Sequence, residues 1–298
     1  MEQSQLKIGV VGTPGGWSSE KLADAVYDRT GYRFLIDMEK VCFNLTKNRF
    51  TYEDTNLFDL DALVIKKIGA WYSPDLLDRL ELLRFMSERG MKIFSDPLRI
   101  LRVLDRLSCT VTLQTADIPM PETTVTEDID CAMDILDEYG EAVFKPLYST
   151  KAKGMLLLKK GWNARGDIEA FKKENQIMYI QKKIDHKGRD FGVVFMGGEY
   201  LTTYARTTDA DNGSWNTTTR SGGKYKPYDP PESTIELAKK AQDLFGLDFT
   251  CVDIAETGDG PIVFEVSAFG GFRGIQTARN IDAAKLYVEY IINHTSNA

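Results

Sequence analysis

The sequence predicts an α/β fold whose N-terminal part is a doubly wound parallel sheet and whose C-terminal part is α+β. Short apolar runs alternate with helical stretches over about residues 6–95, which is the βαβ order of a parallel sheet. Hairpin-like strand pairs with glycine turns follow residue 190 and indicate antiparallel pairing. The length of 298 residues allows two or three packed units, since single cores stop growing at about 250–300 residues.

The first unit, residues 1–95, combines apolar runs of strand length with two helical stripes. Its expected elements, in chain order, are strand 6–11, helix 18–27, strand 60–65, helix 74–89 and strand 91–94. Gly90 stops the second helix. A turn of residues 12–16 follows the first strand and is rich in glycine. It lacks G-x-G-x-x-G spacing and contains Pro14, so it favours a dinucleotide site only weakly.

The second unit, residues 96–185, opens with a helix from Pro97 to about residue 116, capped by Ser95 or Asp96. Its other expected elements are helix 127–139 and strands 142–144, 155–158 and 178–180. The third unit, residues 186–298, is expected to hold two hairpins, one turning at Gly197 and Gly198. Its expected elements are strands 193–195 and 200–204, helix 233–245, strands 249–254 and 262–266, and a last helix 283–292 begun by Asp282.

Composition excludes several classes of function. The net charge of −7 argues against a non-specific nucleic-acid binder, which needs a basic surface. The apolar stretches are too short to span a bilayer, and we find no signal peptide. The four cysteines are scattered without a CxxC pair, which predicts buried thiols in a reducing compartment, so we expect a cytoplasmic protein. Only two histidines occur, and chemistry must therefore rest on carboxylates, lysines, arginines and a hard cation.

Asp253 and Glu265 are the most informative pair of residues. Each interrupts an otherwise apolar strand, and pairing of the two strands puts both carboxylates on one face. Burying two carboxylates together is costly unless a cation neutralises them, and Mg²⁺ bound to phosphates meets that need. Pairing with a buried arginine or lysine explains the same pattern equally well.

Lys145 ends a strand and faces a small polar loop, residues 149–154. Backbone N–H groups of such a loop can cradle phosphate oxygens, which makes Lys145 a candidate phosphate contact. Taken alone, an ordinary solvated lysine is the more frequent explanation. A second polar stretch, residues 215–223, reads either as a surface loop or as a substrate loop that orders on binding.

An ordered set of short motifs resembles the ATP-grasp superfamily, and within it the RimK-like ligases. The resemblance covers essentially the whole chain, including residues 60–69 of the N-terminal unit. The matching segments, in chain order, are 95–97, 105–106, 118–121, 143–146, 179–181, 188–190, Arg206, 222–223, 252–254 and 265–267. It implies an ATP-grasp fold in which an N-terminal α/β domain precedes two α+β subdomains that enclose ATP.

The resemblance also implies roles for individual residues. ATP and Mg²⁺ are the implied cofactors, and Asp253, Glu265 and Ser267 the implied metal site. Arg206, Arg220 and Arg273 would be the catalytic arginines, with Arg273 equally readable as a structural surface residue. The implied nucleotide contacts are Arg106, Lys145, the loop residues Lys151, Lys153 and Gly154, the hinge residues Gln181, Lys182, Lys183 and Ile184, and Asp190. Taken alone, Lys151 and Lys153 also read as surface residues. Trp17, Lys67, Arg220 and Arg273 are candidate substrate residues.

Several positions depart from the family pattern and leave the transferred amine open. Arg106 stands where a lysine is usual, Ser267 replaces an asparagine, and Lys182 replaces a glutamate. Gly192 and Asn216 fall where relatives carry arginines for phosphate or acidic substrate. These departures keep a catalytically impaired, nucleotide-binding regulatory protein as an alternative. A dinucleotide-dependent oxidoreductase built on the N-terminal unit is a weaker one.

The implied activity is an ATP- and Mg-dependent ligation of a carboxylate to an amine through an acyl phosphate. The expected partners are small-molecule or peptide carboxylates and amines, with neither nucleic acid nor membrane. Addition of an amino acid to a peptide, protein or small molecule fits this reaction class, and homo-oligomers are frequent in the family.

Overall fold

The computed structural model describes residues 6–150, 152–208, 215–218 and 222–296. Three sheets follow one another along the chain, and a small fourth sheet adjoins the first. The boundaries that we propose for the domains, 1–95, 96–185 and 186–298, each fall between two of the three main sheets. In the described ranges, no helix has the length and apolar character that crossing a bilayer requires.

The first sheet is parallel, with strand order β2-β1-β6-β7, as the alternation of apolar runs and helices predicts. All four residues of β1 and of β6 are buried, which explains their uninterrupted apolar sequences. The elements of this unit are β1 (Ile8–Val11), α1 (Trp17–Thr30), β2 (Leu35–Ile36), β3 (Cys42–Asn44), β4 (Arg49–Tyr52), β5 (Thr55–Asn56), β6 (Ala62–Ile65), α2 (Asp75–Glu88) and β7 (Ile93–Phe94). Strands β2 to β5 are too short or too polar to be recognised from the sequence.

The second unit is an antiparallel sheet of order β10-β9-β11-β8 with α5 and α6 packed on it. Its elements are α3 (Pro97–Leu104), α4 (Arg106–Gln114), β8 (Thr123–Thr126), α5 (Ile129–Tyr139), β9 (Glu141–Lys145), β10 (Leu156–Lys159), α6 (Ala164–Glu174) and β11 (Met178–Lys182). The expected cap at Asp96 is confirmed, since its side chain accepts from the backbone N–H of Leu98.

The single helix expected over residues 97–116 is wrong. Asp105 has extended backbone angles and ends α3. Its carboxylate then accepts hydrogen bonds from the N–H groups of Leu107 and Ser108, so it caps a second helix, α4. This break sets the start of α4, and Arg106 becomes its first residue.

The third unit is an antiparallel sheet of order β14-β13-β12-β15-β16. Both expected hairpins form within it. Its elements are β12 (Arg189–Met196), β13 (Glu199–Thr207), β14 (Lys224–Pro227), α7 (Glu232–Asp243), β15 (Phe249–Thr257), β16 (Gly260–Ser267), α8 (Phe272–Arg279) and α9 (Ala283–Ser296). Helix α9 returns to pack against α1, and apolar clusters join the first and third units.

Candidate active site

Asp253 and Glu265 lie directly opposite each other on β15 and β16. Directly paired residues of an antiparallel sheet project from the same face, so the predicted juxtaposition of the two carboxylates is confirmed. Asp253 is well buried, whereas 42% of the Glu265 side chain is exposed. Burial raises the pKa of Asp253, Arg206 opposes that rise, and the nearby Glu265 adds to it.

Each of these carboxylates is paired with an arginine. Arg206 Nη2 lies 3.1 Å from Asp253 Oδ1. Arg106 Nη1 donates to Glu265 Oε2 at 2.9 Å. Pairing with buried arginines, the alternative that the sequence left open, is therefore present in the structure. Guanidinium groups also bind phosphate oxygens well.

Arg206 belongs to a larger buried network on β12 and β13. Its Nε and Nη2 atoms donate to the two carboxylate oxygens of Asp190 at 2.9 and 2.7 Å. Thr217 Oγ1 donates to Asp190 Oδ1 at 2.7 Å and so brings the segment after β13 onto the same acid. Asp190, the predicted ribose contact, thus accepts hydrogen bonds from both Arg206 and Thr217.

Arg106 is held by three acceptors from three parts of the chain. Besides Glu265, its Nε donates to the Pro146 carbonyl oxygen at 3.1 Å and its Nη2 to Ser149 Oγ at 3.3 Å. Only 9% of its side chain is exposed. The arginine at this position therefore ties the loop after β9 to the acidic strand β16, using a fork that a lysine lacks.

Lys145, the last residue of β9, lines a cavity that also contains Arg206 and Asp253; we call it the nucleotide-side cavity, because the predicted nucleotide contacts border it. Its Nζ donates to Gln181 Oε1 and lies 5.6 Å from the centre of the Phe264 ring. The pKa of Lys145 is lowered to about 7, mainly by burial and next by the positive Arg106, while Glu265 partly opposes the shift. Phosphate oxygens bind such a buried ammonium well.

The hinge residues divide into an inner and an outer set. Gln181 is buried, and its Nε2 donates to Thr123 Oγ1 at 3.0 Å. Lys182 and Lys183 form ion pairs with Glu122 and Glu141. Ile184 and both lysines border the same cavity as Lys145.

The loop over the site reaches the N-terminal domain. Lys153 Nζ lies 4.0 Å from the centre of the Trp71 ring, a cation–π contact between this loop and the segment after β6. Gly154 has a φ of 71°, which a glycine adopts without strain. Ser149 and Thr150 line the cavities beneath the loop. Lys151 and Arg220 lie outside the described residues.

Arg273 lies in the first turn of α8. Its guanidinium carbon stands 4.9 Å from the Trp17 ring centre, at the start of α1. Trp17 and Arg273 therefore join the first and third units. Gly271 is the N-cap of this helix and has no side chain that could accept from the first backbone N–H groups.

The absence of a side chain at position 192 has a structural reason. A Cβ atom there would lie 2.5 Å from the Tyr204 ring and 2.9 Å from Cys251 Sγ. The ring of Tyr204 thus fills the space beside Asp253, the residue that pairs with Gly192 across the sheet. An arginine at this position is excluded unless Tyr204 moves.

Two cavities meet at Arg106, Ser149 and Glu265. The nucleotide-side cavity measures about 290 Å³ and contains Lys145, Arg206 and Asp253. The second measures about 220 Å³ and extends to Lys66 and Lys67 of the N-terminal unit. Ser267, the third predicted metal ligand, borders both.

Sequence reasoning missed Lys66, His186 and Phe264. His186 borders the nucleotide-side cavity with a buried Nδ1 atom that has no hydrogen-bond partner among the described residues. Because the sequence contains only two histidines, we did not expect a histidine to take part in the chemistry. Lys66 gave a usable signal, because it follows four consecutive buried residues of a strand.

The donor set fits Mg²⁺. Within the described residues, no group of three or more histidine, cysteine or acidic side chains is placed to hold a metal ion. Mg²⁺ typically takes one or two carboxylates and completes its shell with water and substrate phosphates. The facing pair of Asp253 and Glu265 at the junction of two cavities matches that requirement.

The model of the RimK-like ATP-grasp domain matches residues 103–291 of this chain. The chain belongs to the RimK-like ATP-grasp family. The tetrahydromethanopterin:alpha-L-glutamate ligase of Methanosarcina acetivorans is 26% identical, with 96% of this chain and 99% of that protein covered. A probable alpha-L-glutamate ligase of an Enterobacter species is 27% identical over 98% and 97% of the two chains.

Solved structures share the fold. The ATP-grasp ligase PsnB, in complex with a phosphomimetic variant of its minimal precursor, Mg and ADP, superposes with a TM-score of 0.75 at 17% identity. The superposition covers 98% of this chain and 99% of PsnB. These findings confirm the predicted ATP-grasp fold and the predicted class of enzyme, an ATP-dependent carboxylate–amine ligase with ATP and Mg²⁺ as cofactors. They give no support to an impaired regulatory protein or to an oxidoreductase.

Proposed function

We propose that this RimK-like ligase joins the amine of an amino acid, L-glutamate as the first candidate, to a carboxylate held in the second cavity. The observation that carries the proposal is the facing pair of Asp253 and Glu265, flanked by Arg206 and Arg106, where the two cavities meet. The names of the relatives from Methanosarcina and Enterobacter support glutamate as the amine.

ATP would lie in the nucleotide-side cavity. Lys145 would contact its phosphates, the segment from Gln181 to Ile184 its adenine, and Asp190 its ribose. The N–H groups of Lys182 and Lys183 already donate to Glu122 and Glu141 carbonyl oxygens, at 2.9 and 3.0 Å. We therefore place a backbone contact to adenine at Ile184. Reaching the ribose would require Asp190 to share its oxygens with Arg206 and Thr217.

When bound, Mg²⁺ would supply neutralisation of the phosphate charge. Asp253 and Glu265 would hold it, with Ser267 nearby as a weaker oxygen donor. Arg206 and Arg106 would turn from the carboxylates to the transferring phosphate. Opposing the negative charge of that group lets a substrate carboxylate attack it, which yields an acyl phosphate and ADP.

The second half of the reaction requires that water is kept from the acyl phosphate and that the substrates are correctly oriented. An amine displaces phosphate from the acyl phosphate and forms the amide. The loop over residues 148–154, held to Trp71 through Lys153, would keep water away until then. Trp17 and Arg273 at the junction of the first and third units, with Arg220, would help to position substrate.

The direct test supplies Mg-ATP, a panel of carboxylic acids and one amino acid at a time, and measures ADP together with the amide by mass spectrometry. Glutamate is expected to give amide and ADP in equal amounts. Faster amide formation with another amino acid would show that glutamate is not the preferred amine. The glycine at position 192, where relatives carry an arginine, would explain that result. ADP absent with every pair would overturn the proposal. The cytoplasmic location and a homo-oligomer remain predictions from the sequence and the family.

A further inference from the structure

Lys66 is a buried lysine at the carboxyl end of β6. Its relative exposure is 4%, and its Nζ donates to the carbonyl oxygen of Gly270. The Phe272 ring centre lies 4.1 Å from this nitrogen, and that of Phe249 lies 5.7 Å away. Among the described residues, two aromatic rings and one carbonyl oxygen thus lie around this nitrogen.

Lys66 has no ion-pair partner in the part of the chain that the structure describes. The pKa of Lys66 is lowered to about 7, mainly by burial and next by the positive charge of Lys67, while Cys251 partly opposes the shift. Burying an ammonium without an anion is unfavourable, which is why buried cations are normally paired. An anionic ligand would supply the missing partner.

The site lies in the second cavity, on the side facing the N-terminal unit. Lys66, Lys67, Ser18 and Gly271 line this side, while Arg106 and Glu265 line the side shared with the nucleotide cavity. Ser18 belongs to the first turn of α1, and Gly271 is the N-cap of α8. Gly16 and Gly271, the N-caps of α1 and α8, provide no capping side chain. The positive N-terminal ends of both helices therefore border the cavity that contains Lys66.

We propose that Lys66 binds a second anionic group of the carboxylate substrate, so that the ligase selects acids carrying two negative groups. This inference rests on the proposed function, because the reacting carboxylate is taken to lie near Arg106 and Glu265. The second group, a carboxylate or another anion of similar size, would sit against Lys66 and the starts of α1 and α8. Lys66 is then a specificity residue, and the volume of about 220 Å³ limits the part of the acid that is enclosed.

The test uses the Mg-ADP complex and calorimetric titration with dicarboxylates from succinate to pimelate, each compared with its own monoamide. The monoamide has nearly the same shape and one charge fewer. In the wild type, the best dicarboxylate is expected to bind about tenfold or more tightly than its monoamide. K66M should bind the two alike. K160M removes an exposed lysine and should keep the wild-type preference.

Mg-ADP affinity, measured first in all three proteins, separates this proposal from the proposed function. Failure of the wild type to bind Mg-ADP would contradict the proposed function itself. If Mg-ADP binds, three results overturn the role of Lys66: equal affinity of the wild type for acid and monoamide, an unchanged preference in K66M, or no binding of any dicarboxylate at millimolar concentration. K66Q replaces K66M if the latter does not fold.

Discussion

Arg206 joins Asp190 to Asp253: it donates two hydrogen bonds to the first, at 2.9 and 2.7 Å, and lies 3.1 Å from the second. One guanidinium thus balances two buried carboxylates on adjacent strands of the same sheet. The acids and the arginine of the site thus pair with one another. We propose that metal and phosphate replace these partners when a nucleotide binds.

R206M should destabilise the ligand-free protein strongly, because it leaves two buried carboxylates without a cation. Loss of one partner of such a network costs about 3–5 kcal/mol. R189M is the matched control, since Arg189 forms a longer, half-exposed pair with Glu256 and should cost about 1 kcal/mol or less. Urea unfolding of the three proteins measures the difference. Similar losses in R206M and R189M would show that the network adds no stability.

Lys66 should make stability depend on pH. Its pKa is about 7 in the folded protein and 10.5 for an ordinary exposed lysine, so between these values the unfolded chain binds one more proton. The resulting penalty is complete below pH 7 and is relieved as the pH rises, so the free energy of unfolding increases with pH. K66M should reduce that slope between pH 7 and 9 by about 1.4 kcal/mol per pH unit.

The same series should show K66M to be more stable than the wild type at pH 7, because it removes a buried charge. Lys67 and the Cys251 thiol are the other titratable groups that act on Lys66, and K66M leaves both in place. K160M is expected to follow the wild-type curve. An identical slope in K66M and the wild type would mean that Lys66 titrates normally.

K145M should weaken ATP binding by about tenfold to a hundredfold, the usual contribution of a charged hydrogen bond. K182M is the control from the neighbouring strand. The Lys182 ammonium already pairs with Glu122, so its side chain is expected to contribute nothing to nucleotide binding. Calorimetric titration with Mg-ADP and Mg-ATP gives both affinities. Equal losses in the two variants would argue against Lys145 as the phosphate contact.

W71A should loosen the loop above the site, because Trp71 provides the ring beneath Lys153. We expect a modest change, since exposed cation–π contacts contribute about 0.5–1 kcal/mol. More acyl phosphate should then react with water, and the ratio of ADP to amide should rise above one. K153M should have the same effect, whereas W162A, which removes a fully exposed tryptophan, should have none. A ratio of one in both W71A and K153M would exclude a role in water exclusion.

Much of the fold and part of the candidate site could be predicted from the sequence. Apolar periodicity identified β1, β6, α2 and both C-terminal hairpins, because each buries a regular face. The carboxylate pair was recognised because charges inside apolar strands are rare. The break at Asp105 was missed, since a capping aspartate inside an apolar pattern leaves its period intact. Polar β8 and the amphipathic α6 were also overlooked.

Long-range partners were beyond the reach of the sequence. Arg106 and Glu265 are 159 positions apart, and only the folded chain shows that they pair. Family resemblance indicated that Arg206 serves the phosphate, but not that Asp190 and Asp253 share it. Nor did any local pattern place Lys153 on Trp71 or Tyr204 over Gly192.

The most direct test of a metal held by Asp253 and Glu265 is a titration of the ADP complex with Mn²⁺, a paramagnetic substitute for Mg²⁺, followed by electron paramagnetic resonance. The double variant D253N/E265Q should bind Mn²⁺ weaker by about two orders of magnitude, because both charged ligands are lost. The control E199Q/D259N removes two exposed acids of the same domain and should match the wild type. Wild-type Mn²⁺ affinity in D253N/E265Q would contradict the assignment of the metal site.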